Sequence, residues 1–235
     1  MFSEATKELI TTASILWKID AQSLLAVIEA ESGGKTLVKV QDQREPAITF
    51  HQHHFYRRIS GAKLETAVRE GLAVSEEPTG NPPTQSARWR MLGRAVEIDR
   101  KAAYESTRWG MGQILGAHWA WLGFASVDAL AREARSAPHG QLNLMLRYIE
   151  KADLVSALRT QDWERFASGY RGPSDDHREY RYQLAQAYRR HSEPRGRHTP
   201  RRRVEHDGNP VPGLPLSTLM QRARRWLDDF RHPQP

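Results

Sequence analysis

Apolar side chains recur at three- and four-residue spacing along most of this chain, and no long stretch alternates apolar with polar residues. A helix face repeats every 3.6 residues and a strand face every two, so the chain is expected to be mainly α-helical with at most a small β-hairpin. Phe2 to Trp17 reads as one amphipathic helix. Asp20 is placed to cap a second, Ala21 to Glu31, with Leu24, Leu25, Val27 and Ile28 towards the core. Gly33 and Gly34 end it, because glycine tolerates the left-handed terminal turn. Further helices are predicted over 86–105, 111–118, 127–135 (capped by Ser126), 139–152, 162–170 and 177–191. Residues 46–56 read as a short extended segment or hairpin arm, and the Pro-rich run 75–85 as a loop.

Composition narrows the class further. At 235 residues and 39% hydrophobic, the chain suits a single domain with an appendage. Residues 1–191 are expected to form that domain and 192–235 an Arg/Pro-rich linker with a final amphipathic helix. No apolar run reaches the length of a membrane span, so a soluble protein is expected. The first twenty residues lack the basic and apolar regions of a secretory signal, so synthesis in the cytoplasm is expected. Without cysteine there is no disulfide, thiolate metal site or thiol nucleophile. The net charge of +7 points to a polyanionic partner. From Ser192 onward nine Arg face five acids, which puts +4 of that charge in the last 44 residues.

Three clusters carry candidate chemistry. In Glu29-Ala30-Glu31-Ser32-Gly33-Gly34 the two glutamates lie about 200° apart on a helix and cannot act as a close pair. Glu31 ends the helix, where a side chain can project into a cleft, and apolar surroundings would raise its pKa and keep it protonated. The local pattern also fits a solvated helix-end residue. In Ser106 to Gly116, three glycines allow close backbone approach, Trp109 offers a flat face for a sugar ring, and Gln113 offers an amide. Trp109 could equally fill the core. Phe166 to Pro173 reads as a helix end running into a Gly-Pro turn, with Tyr170 lining a cleft or filling the core. His51, His53 and His54 invite a metal reading, but adjacent side chains such as His53 and His54 are expected to face apart. No metal and no cofactor is expected.

In order and spacing these clusters resemble the phage-type N-acetylmuramidase domain of modular endolysins, a relative of goose-type lysozymes and lytic transglycosylases. The resemblance covers about Asp20 to His191. It rests on Ala-Glu-Ser-Gly-Gly at 30–34, Ile-Thr-Phe-His-Gln-His-His-Phe at 48–55, and Ser-Thr-Arg-Trp-Gly-Met-Gly-Gln-Ile-Leu-Gly at 106–116. Phe-Ala-Ser-Gly-Tyr-Arg-Gly-Pro at 166–173 and Ala-Gln-Ala-Tyr-Arg-Arg-His at 185–191 complete it. It implies a lysozyme-like fold with Glu31 as the catalytic acid and Gln113 on the cleft floor. Tyr170 would sit near Glu31, and Ser32, Phe50, His51, His53, Trp109 and Arg171 would be substrate-binding residues. Two positions depart from the family pattern: His51 stands where a glutamate is usual, and Arg171 where an asparagine is. Arg171 is expected to bond sugar, acetamido or peptide groups, and His51 to titrate near pH 6.5.

The implied activity is hydrolysis of the β-1,4 bond between N-acetylmuramic acid and N-acetylglucosamine, on peptidoglycan, by a monomer acting at the bacterial wall after lysis or delivery. Transglycosylation, or a weakened wall-binding module, are the alternatives. A phage endolysin and a delivered antibacterial effector both fit, the latter with an immunity protein as partner. The tail would attach to an anionic envelope surface or fold back as a core helix. A nucleic-acid partner is not expected, since the basic run Arg201-Arg202-Arg203 belongs to no recognised binding motif.

Overall fold

The computed structural model describes residues 2–76, 81–172 and 177–193. The linker and helix expected beyond Glu193 lie outside the described residues. Helix α1 (Glu4–Trp17) starts at Ser3, whose hydroxyl accepts from the Thr6 N–H at 3.2 Å. Asp20 caps α2 (Ala21–Ser32) in the same way through the Gln22 N–H. Gly33, at φ +62°, closes α2 with its N–H on the Glu29 carbonyl, and the Gly34 N–H adds a longer bond to the Ile28 carbonyl, a left-handed terminus that glycine favours. Both ends of the helix carrying Glu31 are thus fixed by residues readable in the sequence.

Next come the antiparallel hairpin β1 (Leu37–Val40) and β2 (Gln43–Pro46), then β3 (Ile48–Phe50), α3 (Gln52–Tyr56) and α4 (Gly61–Arg69). Helix α5 (Gln85–Glu105) breaks at Asp99, whose backbone leaves the helical region; its carboxylate accepts from the Ala102 N–H and so starts the second part. Strands β4 (Thr107–Trp109) and β5 (Ile114–Leu115) join β3 in a three-stranded antiparallel sheet, β4 in the middle. After a 3₁₀ turn at Gly116–His118 come α6 (Val127–Ser136), α7 (Pro138–Lys151), α8 (Val155–Arg159), α9 (Trp163–Arg171) and α10 (Arg178–Ser192).

Helix α7 runs through the core. From Gly140 to Leu146 seven consecutive residues are buried, which identifies a helix enclosed on all sides. Its Met145 lies under Gly112: a Cβ there would meet Met145 at 2.7 Å and the Tyr170 hydroxyl at 2.9 Å, so only glycine fits. The side chain of Gln141 accepts from the Met111 N–H at 3.0 Å and pins the same turn from below. Helices α2 and α10 pack along each other. No helix among the described residues is long and apolar enough to cross a membrane.

The mainly helical expectation holds. The sequence reading differs at 111–118, which is a turn, a two-residue strand and a 3₁₀ turn rather than a helix. Gly110 at φ +70° and Gln113 at φ +49° are both left-handed, and α-helical hydrogen bonding cannot run through them. Two small sheets replace the single expected hairpin, because strands of two to four residues are too short to display an alternation.

Candidate active site

Glu31 stands on the last turn of α2 with its side chain only 2% exposed. Its carboxylate accepts from Arg171 Nε at 3.0 Å, and Arg171 is the final residue of α9. The guanidinium in turn lies 4.2 Å over the ring of Tyr180 on α10. The end of α9 and the start of α10 therefore meet a carboxyl on α2 that lies 140 residues before Arg171 in sequence. Burial, and then the negative charge of Glu31, push the Tyr180 phenol well above its ordinary value. The same two causes, in the same order, raise the Tyr170 phenol. Tyr170 is buried, stacks on Phe166 and donates to the Gly112 carbonyl at 2.7 Å. Tyr148 of α7 packs edge-on against Tyr170 with ring centroids 5.1 Å apart. Glu31 is thus bonded by one guanidinium, and its charge is felt at two buried phenols.

Glu29 faces elsewhere. It is held by Arg190 and by His191 Nε2 at 2.7 Å, both on α10. Burial works to raise its pKa, yet those two hydrogen bonds carry it below the usual carboxylate range. It also lines a separate cavity of about 780 Å³ with Phe2, Leu25 and His191. The two glutamates therefore have different partners, as their angular separation requires.

Gln113 sits on the sheet side, but its amide is not free. Its oxygen accepts from the Thr49 hydroxyl at 2.7 Å, and its nitrogen donates to the carbonyls of Gly110 at 2.8 Å and Ala47 at 3.2 Å. It locks the β4–β5 turn rather than presenting a group to a ligand. Trp109 is 1% exposed, packs edge-on against Tyr104 and Trp89, and donates its indole N–H to the Tyr104 carbonyl. A sugar cannot reach that face, so the core alternative is correct for Trp109. Phe50 is equally buried against Phe55. The Ser32 hydroxyl donates to the Ile28 carbonyl of its own helix. Arg171 is committed to Glu31 instead of reaching out for sugar or peptide groups.

The histidines also differ from expectation. His53 and His54 do not face apart: their ring centroids are 4.2 Å apart, and one nitrogen from each of His51, His53 and His54 lies within 4.8 Å of the others. Among the described residues this is the group able to hold a metal ion. Burial first, then Arg108 and the neighbouring histidines, bring His51 down to about 3, so it does not titrate near 6.5. Burial, His53, Arg58 and Arg108 bring His54 to about 4. The neutral rings have ligand chemistry, but the arginines that help keep them neutral equally oppose a cation.

Sequence reasoning overlooked Arg108, His118, Trp121, Tyr148 and Tyr180. For Arg108 the signal is present: it alternates with buried Thr107 and Trp109 on β4 and so must face the other side of the sheet. For the others the sequence holds none, since they come from a turn and two helices brought together only by the fold. Of the other acids, Glu45 is paired with Arg135 and Asp99 with Lys63. Glu77, Asp175 and Asp176 lie outside the described residues.

The sequence profile of the Muramidase family, described as N-acetylmuramidase, matches residues 20–192. The fold is similar to the crystal structure of Burkholderia AP3 phage endolysin, with a TM-score of 0.64 and 28% identity over 79% of this chain and 71% of that one. No curated protein matches the chain.

Proposed function

The chain belongs to the N-acetylmuramidase family, glycoside hydrolases that act on bacterial peptidoglycan, and from that premise we propose that Glu31 is its catalytic acid. The observation that carries the reading is the burial of one carboxyl at the end of α2, bonded by Arg171 and with its charge felt at the buried phenols of Tyr170 and Tyr180. Glu31 protonates the glycosidic oxygen between N-acetylmuramic acid and N-acetylglucosamine as its bond to the anomeric carbon breaks through an oxocarbenium-like transition state, and water then bonds that carbon and releases the proton that restores the acid. To deliver that proton the carboxyl must turn from Arg171 towards the glycan. The buried phenols supply a water-poor surround in which a charge change at the reacting oxygen is felt strongly.

Glu31→Gln keeps the shape and removes the proton, and its rate of peptidoglycan lysis falls by about 10²–10⁴-fold. A variant retaining more than about a tenth of the wild-type rate would show that another group is the acid. Mass spectrometry of the digest reads the bond cleaved and the end formed. A reducing muramic acid end supports hydrolysis; a 1,6-anhydro end supports the transglycosylase alternative. The setting we propose is phage lysis, supported by the likeness to a phage endolysin. A delivered effector would instead co-purify with a dedicated inhibitor from its own cell.

A further inference from the structure

Beyond the 3₁₀ turn the chain sets His118 and Trp121 against Tyr148 of α7. The three rings are mutually edge-to-face, with centroids 5.8 Å apart for His118–Trp121, 5.3 Å for His118–Tyr148 and 5.4 Å for Trp121–Tyr148. Trp121 is 43% exposed, whereas Trp109, the indole that the sequence offers for sugar stacking, is buried. From Trp121 the rings continue inward through Tyr148 to Tyr170, whose neighbour Arg171 holds Glu31. An exposed indole is thus joined by packed rings to the carboxyl proposed to act.

Arg108 lies on β4 with its side chain on the face opposite buried Thr107 and Trp109, and its charge is felt at His118, Tyr148 and Tyr170. Its Nη1 lies 3.4 Å from the Gln113 carbonyl, and among the described residues no carboxylate pairs with it. A half-buried guanidinium at the base of an aromatic wall, with no acid of its own, suits an acid that arrives with a ligand.

We infer that Trp121, His118, Tyr148 and Arg108 form a saccharide subsite beside Glu31, in which Trp121 stacks on an amino-sugar ring and Arg108 takes a carboxylate borne on the same strand. The stacking follows from chemistry. A pyranose presents a face of C–H bonds, and an indole presents a negative face that attracts their positive hydrogens. The charge requirement gives selectivity: peptidoglycan strands carry carboxylates on their peptide substituents, and chitin has the same sugar backbone without them. The inference rests on the reading of Glu31 for the position of the subsite, but binding tests it independently of turnover.

The test is calorimetric titration of the full chain, carrying Glu31→Gln to prevent turnover, with peptide-bearing uncrosslinked glycan strands and with a chito-oligosaccharide. Trp121→Ala weakens both by about fivefold or more, and Trp121→Phe restores most of the loss. Arg108→Gln weakens the peptide-bearing strand and leaves the chito-oligosaccharide unchanged, while Arg108→Lys recovers part of the difference. Unchanged binding in Trp121→Ala overturns the subsite, and equal weakening of both glycans by a folded Arg108→Gln overturns the acid recognition. Should Trp121→Ala unfold, Trp121→Phe with full affinity and Trp121→Gln without it uphold the stacking, and equal affinity of those two overturns it. If Glu31→Gln alone leaves lysis intact, the catalytic reading falls while the binding result still decides the subsite.

Discussion

Arg171 is the residue at which this chain departs most usefully from the pattern it resembles, where asparagine is usual. It bonds Glu31 and covers the Tyr180 ring at once. An acid catalyst must reach the oxygen it serves, and a guanidinium bonded to the carboxyl holds it away. In Arg171→Asn that restraint is lost, so the carboxyl turns more readily to the glycan and the lysis rate at a fixed pH rises. An unchanged or slower rate would show that Arg171 does not restrain the acid. His51 and His54 allow a second prediction, this time on stability. Their pKa values are about 3 and about 4 in the fold against 6.5 unfolded, so the unfolded chain binds more protons between those limits. Stability is then full above about pH 6.5 and lost as pH falls towards 3. A His51→Gln, His54→Gln double variant should show a shallower fall in Tm between about pH 6.5 and pH 4 than the wild type. Parallel Tm curves would mean that these rings are not what the acid titrates.

The elements differ in how well they can be read from sequence, and the reason is length and local chemistry. Helix α2 is legible because Asp20 and Gly33 write its ends and four aliphatic residues write its face. Strands β3, β4 and β5 are not, since each contributes only two or three residues to an alternation. The turn between β4 and β5 defeats a helical reading because its left-handed residues include Gln113, which glycine rules do not flag. Gln113 takes that conformation because its amide bonds three backbone or side-chain partners across the turn. The motif is therefore visible as a place, and the structure adds what its amide does: it fixes the turn whose Gly112 carbonyl accepts from Tyr170. Gly112→Ala tests this directly. The added methyl collides with Met145 and with the Tyr170 hydroxyl, so it should cost about 1–3 kcal/mol and reduce lysis. Gly93→Ala on α5, where nothing lies within 4 Å, is the contrast and should gain about 0.5–1 kcal/mol. Equal Tm values for the two variants would refute the close packing under the turn.

At the scale of the whole molecule, charge and chemistry are separable along the chain. Among the described residues, those brought to Glu31 lie between Glu31 and Tyr180, and the family match ends at residue 192. The part beyond carries +4 of the net +7. Proposing that it serves attachment follows from that division, because arginine-rich segments are drawn to anionic envelope surfaces within a short, salt-dependent range. A chain ending at Glu193 should then cleave glycan strands in solution at the full rate, with an unchanged Tm. Against whole cells it should lose activity at low ionic strength, and the gap to the full chain should close as salt rises, since screening removes what the arginines supply. A lower Tm for the shortened chain would instead mean that the tail packs on the domain as a further core helix. Equal activity on cells at every salt concentration would remove the attachment role.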